Sequence, residues 1–217
     1  MELLEFARGP AFRVAVLIFS AGLIWRVVHL VLAARKVDIS EPRQGGAVGG
    51  GLAAIFARLV HHRAFRERTR NGTIIAYTVH IGLAIVVFGS AQHIVLIKSL
   101  TGVAWPALPA IVIHIAAGLT TAALLAALLR RLTHPVLRLL SNFDDYFSWL
   151  VTILPVVTGL LAVAHFGARY ETLLGLHILS VALLLVWLPF GKLMHWFLAF
   201  VTRSQTGAHL SHRGAQL

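Results

Sequence analysis

The chain has 217 residues, 58% of them hydrophobic and only 12% charged, with a mean hydropathy of +0.82. That balance excludes a soluble globular domain and requires long apolar runs that cross a bilayer. The absence of cysteine excludes iron–sulfur clusters, covalently attached c-type haem and disulfides in this chain, and the net charge of +11 falls between lipid-facing runs, which makes nucleic acid an unexpected partner.

Five spans are expected, in an all-α membrane bundle. The N-terminal MELLEFARGP is acidic and lacks a basic n-region, so no cleavable signal is expected there. The first span is read over 12–34 and carries Arg26 and His29 near its end. Residues 35–51 form a Gly-rich linker. Over 52–69, Ile55, Phe56, Leu59 and Val60 fall on one side, with Arg58, His61, Arg63, Arg66 and Arg68 largely elsewhere. This pattern predicts a basic amphipathic helix on a membrane surface, where His61 and His62 are interfacial.

The second span is read over 73–97, with Asn71 or Thr73 as its cap. It holds His80 and His93, whose separation corresponds to roughly 20 Å of rise and about 140° of rotation on one continuous helix. Gly82 and Gly89 lie between them, where bending or a close approach is expected. The third span, 107–129, starts close to His114, and Arg130, Arg131, His134 and Arg138 follow it. Asn142, Asp144 and Asp145 suit the positive N-terminus of a fourth span over 146–166, which contains Pro155. The fifth span is read over 173–200, with a polar basic tail after it.

That fifth stretch carries His177 and His195. On one helix, their spacing of 18 residues makes five whole turns, so both imidazoles leave one face roughly 27 Å apart. The basic connections are the first, the third and the tail, whereas the second and fourth carry Lys98 and Arg169. By the positive-inside rule the N-terminus is outside and the C-terminus is cytoplasmic, in a bacterial inner membrane. Spans two and five then run in opposite directions, so His80 faces His195 near the cytoplasm and His93 faces His177 near the outer surface. Each pair offers two axial nitrogens to one iron, and bis-histidine ligation suits electron transfer. The expectation is two non-covalent haems b, one above the other. His114 competes for the outer haem and His29 for the inner. Arg26, Lys192 and Arg130 inside, and Lys98 and Arg169 outside, are candidate partners for haem propionates. Each is also explained as a topology charge.

Three pieces of sequence then match a known pattern: the His177/His195 spacing, the run Pro189-Phe190-Gly191-Lys192-Leu193-Met194-His195, and Asp145-Tyr146-Phe147 with Thr158-Gly159. On these the chain resembles the gamma subunit of respiratory nitrate reductase, a five-helix membrane cytochrome b. It is also similar to the related cytochrome b subunits of heterodisulfide-reductase-type and dissimilatory sulfite-linked complexes. The wider spacing of His80 and His93 and the long Gly-rich first loop depart from the nitrate reductase form and favour a related complex. The resemblance implies a diheme subunit that exchanges electrons with the quinone pool, partnered by a cytoplasmic iron–sulfur subunit in a hetero-oligomeric, quinone-linked oxidoreductase. On that resemblance this subunit is expected to act as the electron-transfer part of the complex rather than as a complete enzyme. The resemblance also implies a quinol site by the outer haem, for which His114, then Lys98, are the candidates. Two rival classes are a histidine-based proton or metal transporter, which calls for mid-membrane carboxylates, and a haem-free membrane anchor.

Overall fold

A computed structural model describes residues 2–33, 41, 46–57, 59 and 63–215. The described residues contain helices and turns and no strand. Five helices are long and apolar enough to cross a membrane: Leu3–Leu32, Arg66–Gly89, Ala110–Thr133, Phe143–Ala164 and Tyr170–Trp187. The chain is therefore an all-α, multi-pass membrane protein.

Several boundaries differ from those read in the sequence, each for a physical reason. The first span begins not at 12 but at Leu3. Helices α1 (Leu3–Phe6) and α2 (Phe12–Leu32) are joined by a π-helical turn, Ala7–Ala11, that accommodates Pro10. Leu3 packs its side chain on Gly175 and Ala7 is fully buried, so tertiary contact recruits a segment whose composition looks polar. Helix α3 covers Ala47–Ala57, which begins earlier than the surface helix expected over 52–69 and overlaps only its first turns. Of the residues in that expected amphipathic pattern, Arg58, Val60, His61 and His62 lie outside the described residues. A 3-10 turn, Arg63–Phe65, leads directly into α4, Arg66–Gly89. Asn71 and Thr73 are consequently interior to α4 rather than caps.

The second span is not continuous to 97. α4 stops at Gly89, Ser90 is extended, and α5 runs Ala91–Thr101. The carbonyls exposed at this break find donors in the following loop. The Trp105 indole N–H donates to Phe88 O at 2.6 Å, and Leu108 N–H donates to Gly89 O at 2.9 Å. Such satisfaction is required where water is excluded. Helices α6 (Ala110–Thr133), α7 (Pro135–Leu140), α8 (Phe143–Ala164) and α9 (Tyr170–Trp187) follow. Asn142 caps α8 in a reciprocal box with Asp145. The fifth span ends at Trp187, not 200. Pro189 cannot donate to a helical carbonyl and disfavours helix at the residue before it, so residues 188–191 turn. After a short 3-10 turn, α10 begins at His195 and runs to His212, and most of the expected polar tail is therefore helical.

The chain divides into two compact units, Met1–Phe19 with Arg70–Trp187, and Ser20–Thr69 with Leu188–Leu217. In the first, Ala117, Leu124, Ile153 and Val156 form the buried core, with Val79, Leu83 and Val86 of α4 packed against it. Gly82 lets α4 approach α6, where an added Cβ would collide with Thr120 Oγ1. Two tryptophans tie helices together through their indole N–H groups, Trp149 to Leu124 O at 2.7 Å and Trp187 to Ser148 Oγ at 2.9 Å. In the second unit, α3 and α10 meet through small residues. An added Cβ on Gly207 would collide with Ala54 Cβ and Gly50 O, and Gly51 lies against Ser204 O. This is a close backbone approach that residues without large side chains permit.

Candidate functional site

The decisive geometry lies in the first unit, where His93 on α5 faces His177 on α9. Their ring centroids are 6.1 Å apart and the ring planes are 18° from parallel. On a continuous second span, His93 would sit about 140° away from His80. The break at Ser90 removes that constraint and re-aims His93.

Each ring is fixed through Nδ1. That of His93 lies 3.0 Å from Val86 O, a carbonyl whose helical partner, Ser90 N–H, is stretched to 3.4 Å by the break. The Nδ1 of His177 lies 3.0 Å from Pro155 O on α8. A carbonyl oxygen can only accept, so Nδ1 carries the proton in both neutral rings and Nε2 keeps its lone pair. His80 and His195 share the arrangement, with Nδ1 at 2.7 Å from Ala76 O and 2.9 Å from Lys192 O. His165, at the left-handed C-cap of α8, bonds Val163 O at 3.1 Å and stacks on Tyr170.

The expectation that His177 and His195 leave one face of one helix does not hold, because the turn at 188–191 intervenes. His80 belongs to the first unit and His195 to the second. Other candidates are placed as follows. Arg26 donates through Nε to Pro189 O at 3.0 Å and lies 5.0 Å from the Trp25 ring centroid, so at least one of its donors holds the 188–191 turn. Arg169 pairs with Glu171 at 3.2 Å on the surface. Arg130 lies over Gly72. Lys98 is exposed in the last turn of α5, Lys192 is exposed in the turn before α10, and His114 is exposed on α6. His29 sits beside Trp25, with ring centroids 6.3 Å apart.

Among the described residues, no three of His, Asp and Glu gather as a metal cage. A zinc or calcium site draws three or more ligands from protein. His93 and His177 each keep one nitrogen, Nε2, that could ligate a metal or a cofactor.

No protein-family model matches the chain, and no solved structure matches it. A chain from Nitratidesulfovibrio vulgaris strain Hildenborough, described simply as a protein, is 32% identical over 206 residues, covering 93% of this chain and 91% of the relative. The two belong to one family. The unmatched remainder of this chain is shorter than any of its five spans, so the family likeness reaches every one of them.

Within this family member, the residues that sequence reasoning passed over are those that hold the imidazoles. Pro155 reads in the sequence as a bend, and Ser90 carries no proline signal at all. Thr158 and Gly159 attract notice only through the resemblance, with no role attached. A proline followed four positions later by glycine inside an apolar run was the available sign of an irregular, closely approached helix face.

Proposed function

We propose that this chain is a b-type cytochrome subunit of a bacterial inner-membrane oxidoreductase, binding two haems b and passing electrons between quinone and a cytoplasmic iron–sulfur partner. The observation that carries this reading is the facing pair, His93 and His177. Their ring centroids stand 6.1 Å apart, and with Nδ1 of each neutral ring donating to a backbone carbonyl, Nε2 is the nitrogen left to ligate.

His93 and His177 would hold one haem, and His80 and His195 remain candidate ligands for a second. A bound haem supplies reversible one-electron exchange. The protein's own contributions are to fix the tautomers by backbone carbonyls, to orient the rings and to surround them with apolar helices. His114 and Lys98 remain the quinone-side candidates, because a histidine hydrogen-bonds a quinone oxygen and carries a proton near neutral pH. Lys192, Lys98, Arg169 and the remaining donors of Arg26 are the propionate candidates. The transporter reading has less support, since no acidic residue falls in the middle of a span.

The test is a reduced-minus-oxidised visible spectrum of the purified protein with a haem assay. The wild type is expected to carry two haems b. His93→Ala and His177→Ala are each expected to remove one, and the same one. A colourless wild type, or two variants that lose different haems, sinks the proposal.

A further inference from the structure

The stretch Pro155–Gly159 of α8 forms a seat for His177. A Cβ on Gly159 would stand 3.2 Å from Cε1 and 3.3 Å from Nδ1 of the His177 ring, so the imidazole lies against bare backbone. Thr158 spends its single proton on Leu154 O at 2.7 Å. Its remaining lone pairs stand 3.3 Å from the protonated Nδ1 of His177, beside the Pro155 carbonyl at 3.0 Å. Ser180, one turn along α9, donates to the His177 carbonyl at 2.7 Å and lies 3.1 Å from Thr158 Oγ1. The side chain of His177 is thus held by the Pro155 carbonyl and Thr158 of α8, and its backbone carbonyl by Ser180 of α9.

We infer that Gly159 and Thr158 are positioning residues for His177: Gly159 makes the room, and Thr158 with the Pro155 carbonyl orients the ring so that Nε2 is the ligating nitrogen. This rests on the haem reading and adds to it. A hydrogen bond from the distal N–H of a ligating imidazole raises its basicity and fixes its rotation. A more basic ligand favours oxidised iron, so weakening that bond raises the midpoint potential of the haem concerned.

The test combines haem content, potentiometric titration and the low-spin EPR signature of the purified full chain. Thr158→Val, which keeps the shape and removes the acceptor, is expected to move one midpoint upward and leave the other. The expected size approaches a tenfold change in the oxidised-to-reduced ratio, about 59 mV for one electron. Thr158→Ser, which retains the hydroxyl, is expected to restore it. Gly159→Ala forces the ring to shift and is expected to weaken retention of the same haem by about 10-fold or more. If circular dichroism shows that Gly159→Ala does not fold, the Thr158 pair decides the matter. A haem-replete wild type whose Thr158→Val variant keeps both midpoints and its EPR signature overturns the inference and leaves the haem reading standing. A wild type without haem overturns both.

Discussion

Asn142 accepts a hydrogen bond from Asp145 N–H, and its own N–H donates to Asp145 Oδ2 at 3.0 Å. Arg131 meets the other oxygen of the same carboxylate at 3.0 Å and also donates to Ser141 Oγ at 2.8 Å. One aspartate therefore completes the N-terminus of α8 and anchors the end of α6. Asn142→Ala removes one half of the box and is expected to cost about 1 kcal/mol, read as a lower thermal midpoint in detergent. This cap is visible in the sequence, because Asn-Phe-Asp-Asp ahead of an apolar run has a local meaning. The seat of His177 is not visible in the same way. It joins Pro155, Thr158 and Gly159 on one helix to His177 and Ser180 on the next, and no local spacing states that α8 and α9 meet at that height.

At the level of elements, two interruptions matter, and they differ in legibility. The turn at 188–191 is written in Pro189 and Gly191, because the missing N–H of proline ends the helix short of 200. The break at Ser90 depends on Trp105 and Leu108, which supply donors to Phe88 O and Gly89 O from a loop that begins after α5. Apolar runs identify which segments sit in lipid, since each residue's transfer energy is a local property. They do not identify where a helix is broken by donors that arrive from elsewhere. The α3–α10 pairing makes the same point. Its Gly50 and Gly51 read as part of a flexible linker and its Ala54 as part of a surface helix, yet they pack against Ser204 and Gly207. Gly207→Leu overfills this contact and is expected to destabilise the pair by about 1–3 kcal/mol. Faster proteolytic cleavage within Ala47–Ala57 than in the wild type would register it, and unchanged cleavage would show that the contact contributes little.

At the scale of the whole molecule, the placement of charge yields a testable orientation. Lys98 and Arg169 lie at one set of span ends, whereas Arg130, Arg131 and Arg138 lie at the other. The positive-inside rule assigns the second set to the cytoplasm. The chain contains no cysteine, so single introduced thiols report without background. In intact cells, Lys98→Cys is expected to react with a membrane-impermeant thiol reagent, and Arg138→Cys only after permeabilisation. The reverse pattern would invert the topology and move the His93/His177 pair to the cytoplasmic side.

By itself the sequence determined five membrane crossings, an all-helical fold and a set of histidines placed where water is scarce. These follow from composition and run length, which are summed over neighbours along the chain. Only the tertiary structure decided that His93 faces His177, that His195 opens a separate helix, and that backbone carbonyls from Val86 and Pro155 hold the rings. The reason is that an imidazole's direction depends on where its helix breaks and which carbonyl lies beside it. Those are relations between segments remote in the chain, carried by packing and hydrogen bonds rather than by hydropathy.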